Sequence, residues 1–299
     1  MSDSAQRALD TLIDDFHAQE RIRVWSLVIT IFGDAINPRG GELWLGSLQE
    51  LMDRIRIEPS AVRAAMSRLT ADGWLTRIKH GRKSYYRLAD AGLAEFADAT
   101  RAIYAPRRHT WSGKWSIIVL NGRAGDEREA RRRELRAAGF GALAPNILLR
   151  PESLEDTDTL SKGPDEIVFQ SNLDKQSDAT KLIKHGWMLS DLEGLSAELV
   201  SKFSMLYEAL RESGPLDPVS AMAARSLVIH DFRRLALRVP HLPAELLPES
   251  WTGDEARALV ASVYRVLAGP SEQWLDGCLD SHDARIPAPE FSIARRFEL

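Results

Sequence analysis

Cysteine is nearly absent from this 299-residue chain. Cys278 stands alone, which excludes an intramolecular disulfide and fits a reducing compartment. Long hydrophobic runs are missing too: the longest, around residues 24–32, is too short to span a bilayer. The N-terminal "MSDSAQRALDTLIDDF" is acidic and lacks a cationic, apolar signal pattern, so a cytoplasmic location is expected. The seven histidines are scattered, with no paired metal-ligand spacing, and neither metal nor cofactor is expected. "GRAGDE" at 122–127 lacks the Lys-Ser/Thr of a phosphate-binding loop and the third glycine of a dinucleotide fingerprint. No nucleophile elbow occurs. With these gaps the expectation is a protein that is not an enzyme.

What the chain does have is charge, unevenly spread. At 44% hydrophobic and 27% charged residues its composition is ordinary, and its length suggests two or three domains. The net charge is −4, yet residues 1–150 hold 24 Lys+Arg against 18 Asp+Glu, while residues 151–299 hold 15 against 25. Within the first half, residues 54–112 hold 12 basic and 5 acidic side chains. A basic block set against an acidic remainder reads as a modular chain whose first part meets an anionic partner.

The basic block has a legible order of elements. Residues 21–35, apolar on nearly every side, read as a buried helix, and "LWL" at 43–45 as a short extended piece. Ser47 and Glu50 fit a capping box that opens a short helix to about Ile55. A further helix starts near Pro59, runs to Ala71 and stops at Gly73. "GWLTRIKHGRKSYYRL" at 73–88 then alternates as a β-hairpin whose tip carries Lys79, His80, Arg82 and Lys83 and no acid. Helix, extended segment, helix, helix, hairpin is the order of a winged helix-turn-helix. On the helix from Pro59, the 100° spacing puts Val62, Met66 and Leu69 inward and Ser60, Arg63, Ala64, Ser67 and Ala71 outward. Small side chains let a helix approach base edges, Arg63 suits a guanine, and Arg68 on the flank suits a phosphate. A solvated helix face beside an ordinary hairpin is the plainer alternative. The expected DNA contacts are Ser60, Arg63, Ala64, Ser67 and Arg68 on the helix. On the hairpin they are Arg77, Lys79, His80, Arg82, Lys83, Ser84 and Tyr85.

"SLVITIFGDAINPRGGELWLGSLQELM", "VRAAMSRLTADGWL", "GRKSYYRLADAGL", "IYAPRRHTWSGKW" and "FRRLALRVPHLPAELLPESWTG" together resemble the PaaX family of phenylacetic-acid catabolism repressors. The resemblance runs from about residue 21 to 275. One position departs from the family pattern, which has Asp before the proline where this chain has Val239. The implied fold is α+β. Residues 1–105 would be a winged helix-turn-helix domain with its connecting helix. Residues 112–190 would be a central ferredoxin-like, Cas2-like domain, for which the strands and helices read here run βαββα. Residues 191–299 would be a mainly helical, effector-binding domain. The implied function is repression of a phenylacetate-type operon by a homodimer on double-stranded DNA, relieved by an aryl-CoA thioester such as phenylacetyl-CoA.

Two other function classes are weighed against this one. A Cas2-like metal-dependent nuclease would place an aspartate at the end of the first central strand, where this chain has Asn121, a far poorer ligand for Mg²⁺. A protein-binding adaptor gives the cationic hairpin tip no evident use. For the effector, "ARSLVIHDFRRLALRVP" puts Val228, Ile229, Phe232 and Leu235 on one side of a helix. His230, Asp231, Arg234 and Arg238 form a stripe on the other, with Arg233 beside it. A solvated or interdomain salt-bridge face is one reading; a patch for the phosphates of a CoA thioester, completed by Trp251, is the other.

Overall fold

The computed structural model describes residues 3–19, 22–39, 41–90, 93–104, 110–121, 125–153, 163, 165–173, 176–239, 242–278 and 296–297. Helices alternate with two antiparallel sheets, a three-stranded one early in the chain and a four-stranded one in its middle. The chain divides into two compact units. One comprises Met1–Pro106, Ala197–Leu237 and Asp254–Leu299; the other, Arg107–Ser196 and Arg238–Gly253. This differs from the division read from the sequence: residues 197–237 and 254–299 join the N-terminal residues in one unit, and residues 238–253 join the central ones.

The first unit is built around a helix that is buried on every side. α1 (Asp3–His17), α2 (Val24–Ile31), α3 (Leu45–Arg54) and α5 (Leu93–Tyr104) all pack on α9 (Pro218–Ala236). Every α9 residue from Ser220 to Phe232 is buried. Asp217 caps it by accepting from the Ser220 amide at 3.0 Å, and Pro218 follows at the first helical position. α1 contributes Leu9, Leu12, Ile13 and Phe16 to the same core, each large aliphatic or aromatic side chain worth about 1.5–3 kcal/mol when withdrawn from water.

Polar groups enter this core in matched sets. After α2 the chain tightens into a π-helical turn, Phe32–Ile36, that carries Asp34 into the interior. Arg225 on α9 donates from Nε to Asp34 Oδ2 at 2.7 Å. Arg296 donates from Nη1 to Asp34 Oδ1 at 2.7 Å, and the Tyr104 and Tyr264 hydroxyls donate to the same oxygen at 2.5 and 3.0 Å. Burial alone would raise the Asp34 carboxyl; the two guanidiniums overcome it and hold it below the usual carboxylate range. Tyr264 belongs to α10 (Gly253–Gly277), which the sequence pattern ends at Leu267. The helix instead runs through Pro270, because Ser271, Trp274 and Leu275 beyond it are buried and Arg225 donates to Ser271 and Glu272.

The small sheet completes this unit. β1 (Leu43–Trp44), β2 (Leu75–His80) and β3 (Lys83–Leu88) lie in the order β1-β3-β2. α4 (Pro59–Ala71) keeps the bounds expected of it. α3 does not: it begins at Leu45, with Trp44 as its uncapped N-terminal neighbour, and Ser47 is buried inside the first turn. Pairing of Trp44 with Tyr85 holds the chain extended up to the helix, so the helix starts where the strand lets go, and the expected capping box does not form.

In the second unit β4 (Trp111–Leu120), β5 (Gly141–Ala144), β6 (Ile147–Ser153) and β7 (Glu166–Asn172) form a sheet in the order β5-β6-β4-β7. Ile118, Leu120, Phe140 and Leu148 pack with Leu135 of α6 (Gly125–Ala137). β5 and β6 form a hairpin, since Pro145 and Asn146 turn the chain between them. β4 begins at Trp111, and residues 105–109 before it lie outside the described residues. So do residues 122–124 of the glycine-containing "GRAGDE" stretch; the rest of it opens α6. α7 (Gln176–Trp187) packs on β5, where the Trp187 ring occupies the space that a side chain at Gly141 would need. α8 (Leu189–Ser213) leads from the second unit into the first.

Candidate functional site

The outer face of α4 is open. Val62, Ala65, Met66 and Leu69 are buried beneath it, while Ser60, Arg63, Ala64, Ser67 and Arg68 are all exposed. Arg63 forms no ion pair among the described residues, so its five N–H donors face solvent. Arg68 lies 3.4 Å from Asp72 and its guanidinium carbon sits 5.3 Å from the Trp25 ring centroid. That stacking points to a residue outside the sequence-based set. Arg23, with Ile22, Trp25 and Arg68, lines a cleft of about 340 Å³ beside α4. Charge counts centred on residues 54–112 pass over it, and only the pairing of α2 with α4 brings it there.

The hairpin follows in register from Leu75↔Leu88 to His80↔Lys83. Gly81 takes a φ of 59°, the positive value that a tight two-residue hairpin turn demands and that only glycine adopts without cost. Arg77 donates from Nε and Nη2 to the Ser84 hydroxyl across the strands, at 3.1 and 2.7 Å. Lys79 and Arg82 are exposed. Two of the tip cations are held back. His80 lies 3.8 Å from the Glu42 carboxylate, so an acid reaches the tip from a segment outside the hairpin. The Lys83 ammonium sits 4.4 Å over the Trp44 ring. Trp44 can lie there only because residue 46 is glycine, for a Cβ at that position would meet the indole at 2.3 Å. Tyr85, expected to contact DNA, is buried as part of the central strand and packs its ring 5.2 Å from His80. It supports the hairpin and presents no open ring face.

The residues expected to hold an effector separate. His230, Arg233 and Arg234 belong to the first unit, Arg238 and Trp251 to the second. His230 and Asp231 are turned inward, so the stripe is not an open cationic patch: four helices pack on α9, and these two side chains find partners on its neighbours. Asp231 accepts from Lys202 at 2.7 Å. His230 Nδ1 lies 3.1 Å from the Thr30 hydroxyl, which spends its own proton on the Ser26 carbonyl at 3.0 Å, so Nδ1 is the donor. Burial, with Arg233, Arg234 and Lys202 nearby, pushes the His230 imidazole down to about 3. Arg233 donates to Ser26 Oγ at 2.6 Å, and burial lowers its pKa. Arg234 and Arg238 are exposed. Trp251 folds over Gly253 with its indole N–H unpartnered.

Residues 23–92 match the PaaX-like protein family, and residues 187–277 match the PaaX-like protein C-terminal domain. The transcriptional repressor PaaX of Escherichia coli (strain K12) is 32% identical over 300 residues, covering 97% of this chain and 94% of that protein. The uncharacterized protein Rv0674 from Mycobacterium tuberculosis shares the fold, with a TM-score of 0.57, 22% identity, and coverage of 83% of this chain and 97% of that one. Among the described residues no helix is long and apolar enough to cross a membrane.

Proposed function

The chain belongs to the PaaX-like protein family, and from that premise we propose that it is a cytoplasmic DNA-binding repressor of a phenylacetate-type catabolic operon. The observation that carries the reading is the open face of α4, with unpaired Arg63 at its centre, next to a hairpin with exposed Lys79 and Arg82. In this reading α3, α4 and the small sheet act as a winged helix-turn-helix. α4 enters a major groove, Arg63 reads a base edge, and Arg23, Arg68 and the hairpin cations hold phosphates.

Two-fold operators call for two copies, and we read the protein as a homodimer. The second unit offers a surface for it. β7 is an edge strand with Ile167, Val168 and Phe169 exposed, and residues 167–172 carry no charge, proline or lysine to discourage pairing. We read this sheet as part of a ferredoxin-like, Cas2-like domain; its order β5-β6-β4-β7 supports that reading, although α7 follows the fourth strand rather than preceding it. The nuclease alternative is disfavoured by Asn121, an exposed neutral side chain at the end of β4 where that reading needs a carboxylate.

An aryl-CoA thioester is the proposed inducer, with Arg234 exposed to meet one of its phosphates. It releases DNA by binding the DNA-free conformation more tightly. The test is a salt titration of binding to a duplex from the gene's own upstream region, with and without phenylacetyl-CoA. Affinity falling linearly in log salt, and falling again with the thioester but not with free CoA, is the expected result. Salt-independent binding, or none, removes the DNA reading; indifference to phenylacetyl-CoA removes only the inducer.

A further inference from the structure

Most charges inside the first unit are matched. Asp34 meets Arg225 and Arg296, and Asp231 meets Lys202. Arg233 is not matched in this way. Among the described residues its one hydrogen-bond partner is the Ser26 hydroxyl, and none of their carboxylates lies within ion-pair distance. A guanidinium drawn out of water without an anion is costly, and four of its N–H donors are left to solvent or a ligand.

Arg233 borders a recess between α2, α5 and α9, wholly within this unit. Phe96, Ile103 and Ile229 form apolar walls, Thr100 adds a hydroxyl, and Leu237, 50% exposed, stands at the rim. Asp34 also faces the recess, but its oxygens are already taken by two arginines and two tyrosines. The volume is about 40 Å³. That is room for a few waters or a carboxylate head, with a larger body lying out over the rim.

We propose that this recess binds a small monocarboxylate, its oxygens on the Arg233 guanidinium and its apolar body between Phe96 and Leu237. An anion supplies what Arg233 lacks, and the planar fork of the guanidinium matches two carboxylate oxygens. The apolar walls favour a compact hydrocarbon body over a sugar or a polyanion, which sets this site apart from one for CoA phosphates. It does not rest on the inducer reading above. α2, one wall of the recess, packs on α4.

The test uses the full chain with sodium acetate, benzoate and phenylacetate, each against sodium chloride at equal ionic strength, by calorimetry and thermal unfolding. At least one carboxylate should bind and, at ten times its Kd, raise the unfolding midpoint by a few degrees. Arg233→Gln should abolish the shift. Thr100→Leu, which fills the recess and leaves Arg233 in place, should weaken binding at least tenfold and decides the matter if Arg233→Gln folds poorly. If no carboxylate exceeds the chloride control, or if either folded variant binds unchanged, the site is not there. Phenylacetyl-CoA, titrated in parallel, keeps the two readings apart: its binding alone leaves the inducer standing and sinks the recess.

Discussion

Arg225 and Asp34, 191 positions apart in the chain, meet at 2.7 Å with both side chains almost wholly excluded from solvent. The contact fastens α9 to the π-helical turn after α2. Removing one partner strands the other's charge in the interior, which costs about 3–5 kcal/mol. Arg225→Met should therefore lower stability by that order in urea denaturation. Asp34→Asn should do at least as much, because it leaves Arg225 and Arg296 both facing a neutral amide. A loss under about 1 kcal/mol for both would mean that water reaches the cluster.

His230 predicts an acid-side loss of stability. Its folded pKa is depressed to about 3 from an ordinary 6.5, so the unfolded chain takes up a proton that the folded one refuses. Its contribution is whole above pH 6.5 and drains away as the pH falls toward 3, on the order of a few kcal/mol across that window. His230→Asn keeps a side-chain N–H for Thr30 but does not titrate. Urea midpoints at pH 7.5 and 5 should converge in the variant relative to the parent; an unchanged gap would assign the acid sensitivity to other groups.

Lys79 and Arg82 are the hairpin cations without a holding partner inside the tip. Their double replacement by alanine should weaken binding to all duplexes alike and flatten the slope of log affinity against log salt by about 1.8 units at most. Lys83→Ala acts differently. It loosens the hairpin from Trp44 and should show as lost stability as well as lost affinity. An unaltered salt slope in the double variant would turn the hairpin away from DNA.

Arg63 should carry sequence choice. Arg63→Ala is expected to cost about 1–3 kcal/mol on the cognate site and little on random DNA, relaxing one base pair per half-site. Competition binding against a set of single-substitution duplexes measures this. Equal losses on cognate and random DNA would make Arg63 a phosphate contact.

Local signals carried much of this molecule. α4 was legible because Pro59, a 3.6-residue apolar period and Gly73 agree on one helix, and the hairpin because alternation and a glycine turn agree on one register. What failed needed distant partners. The capping box at Ser47 lost to pairing between Trp44 and Tyr85. The stripe on α9 looked like a surface because a lone helix must have one, and four packed neighbours removed it. Arg23 was silent because its meaning depends on Trp25 and Arg68, which no spacing in the sequence joins.

The first unit draws on the opening, the middle and the closing stretches of the chain. On the ribosome these emerge in order, the first long before the last, at about 5–20 residues per second. The winged segment is made early but waits for α9, then for α10, and finally for Arg296 and Phe297, which close over Asp34 and Tyr104. Loss of Arg296 and Phe297 therefore uncovers Asp34 and Tyr104 and leaves the core unfinished. The unit is thus finished by a stretch far in sequence from the one that begins it.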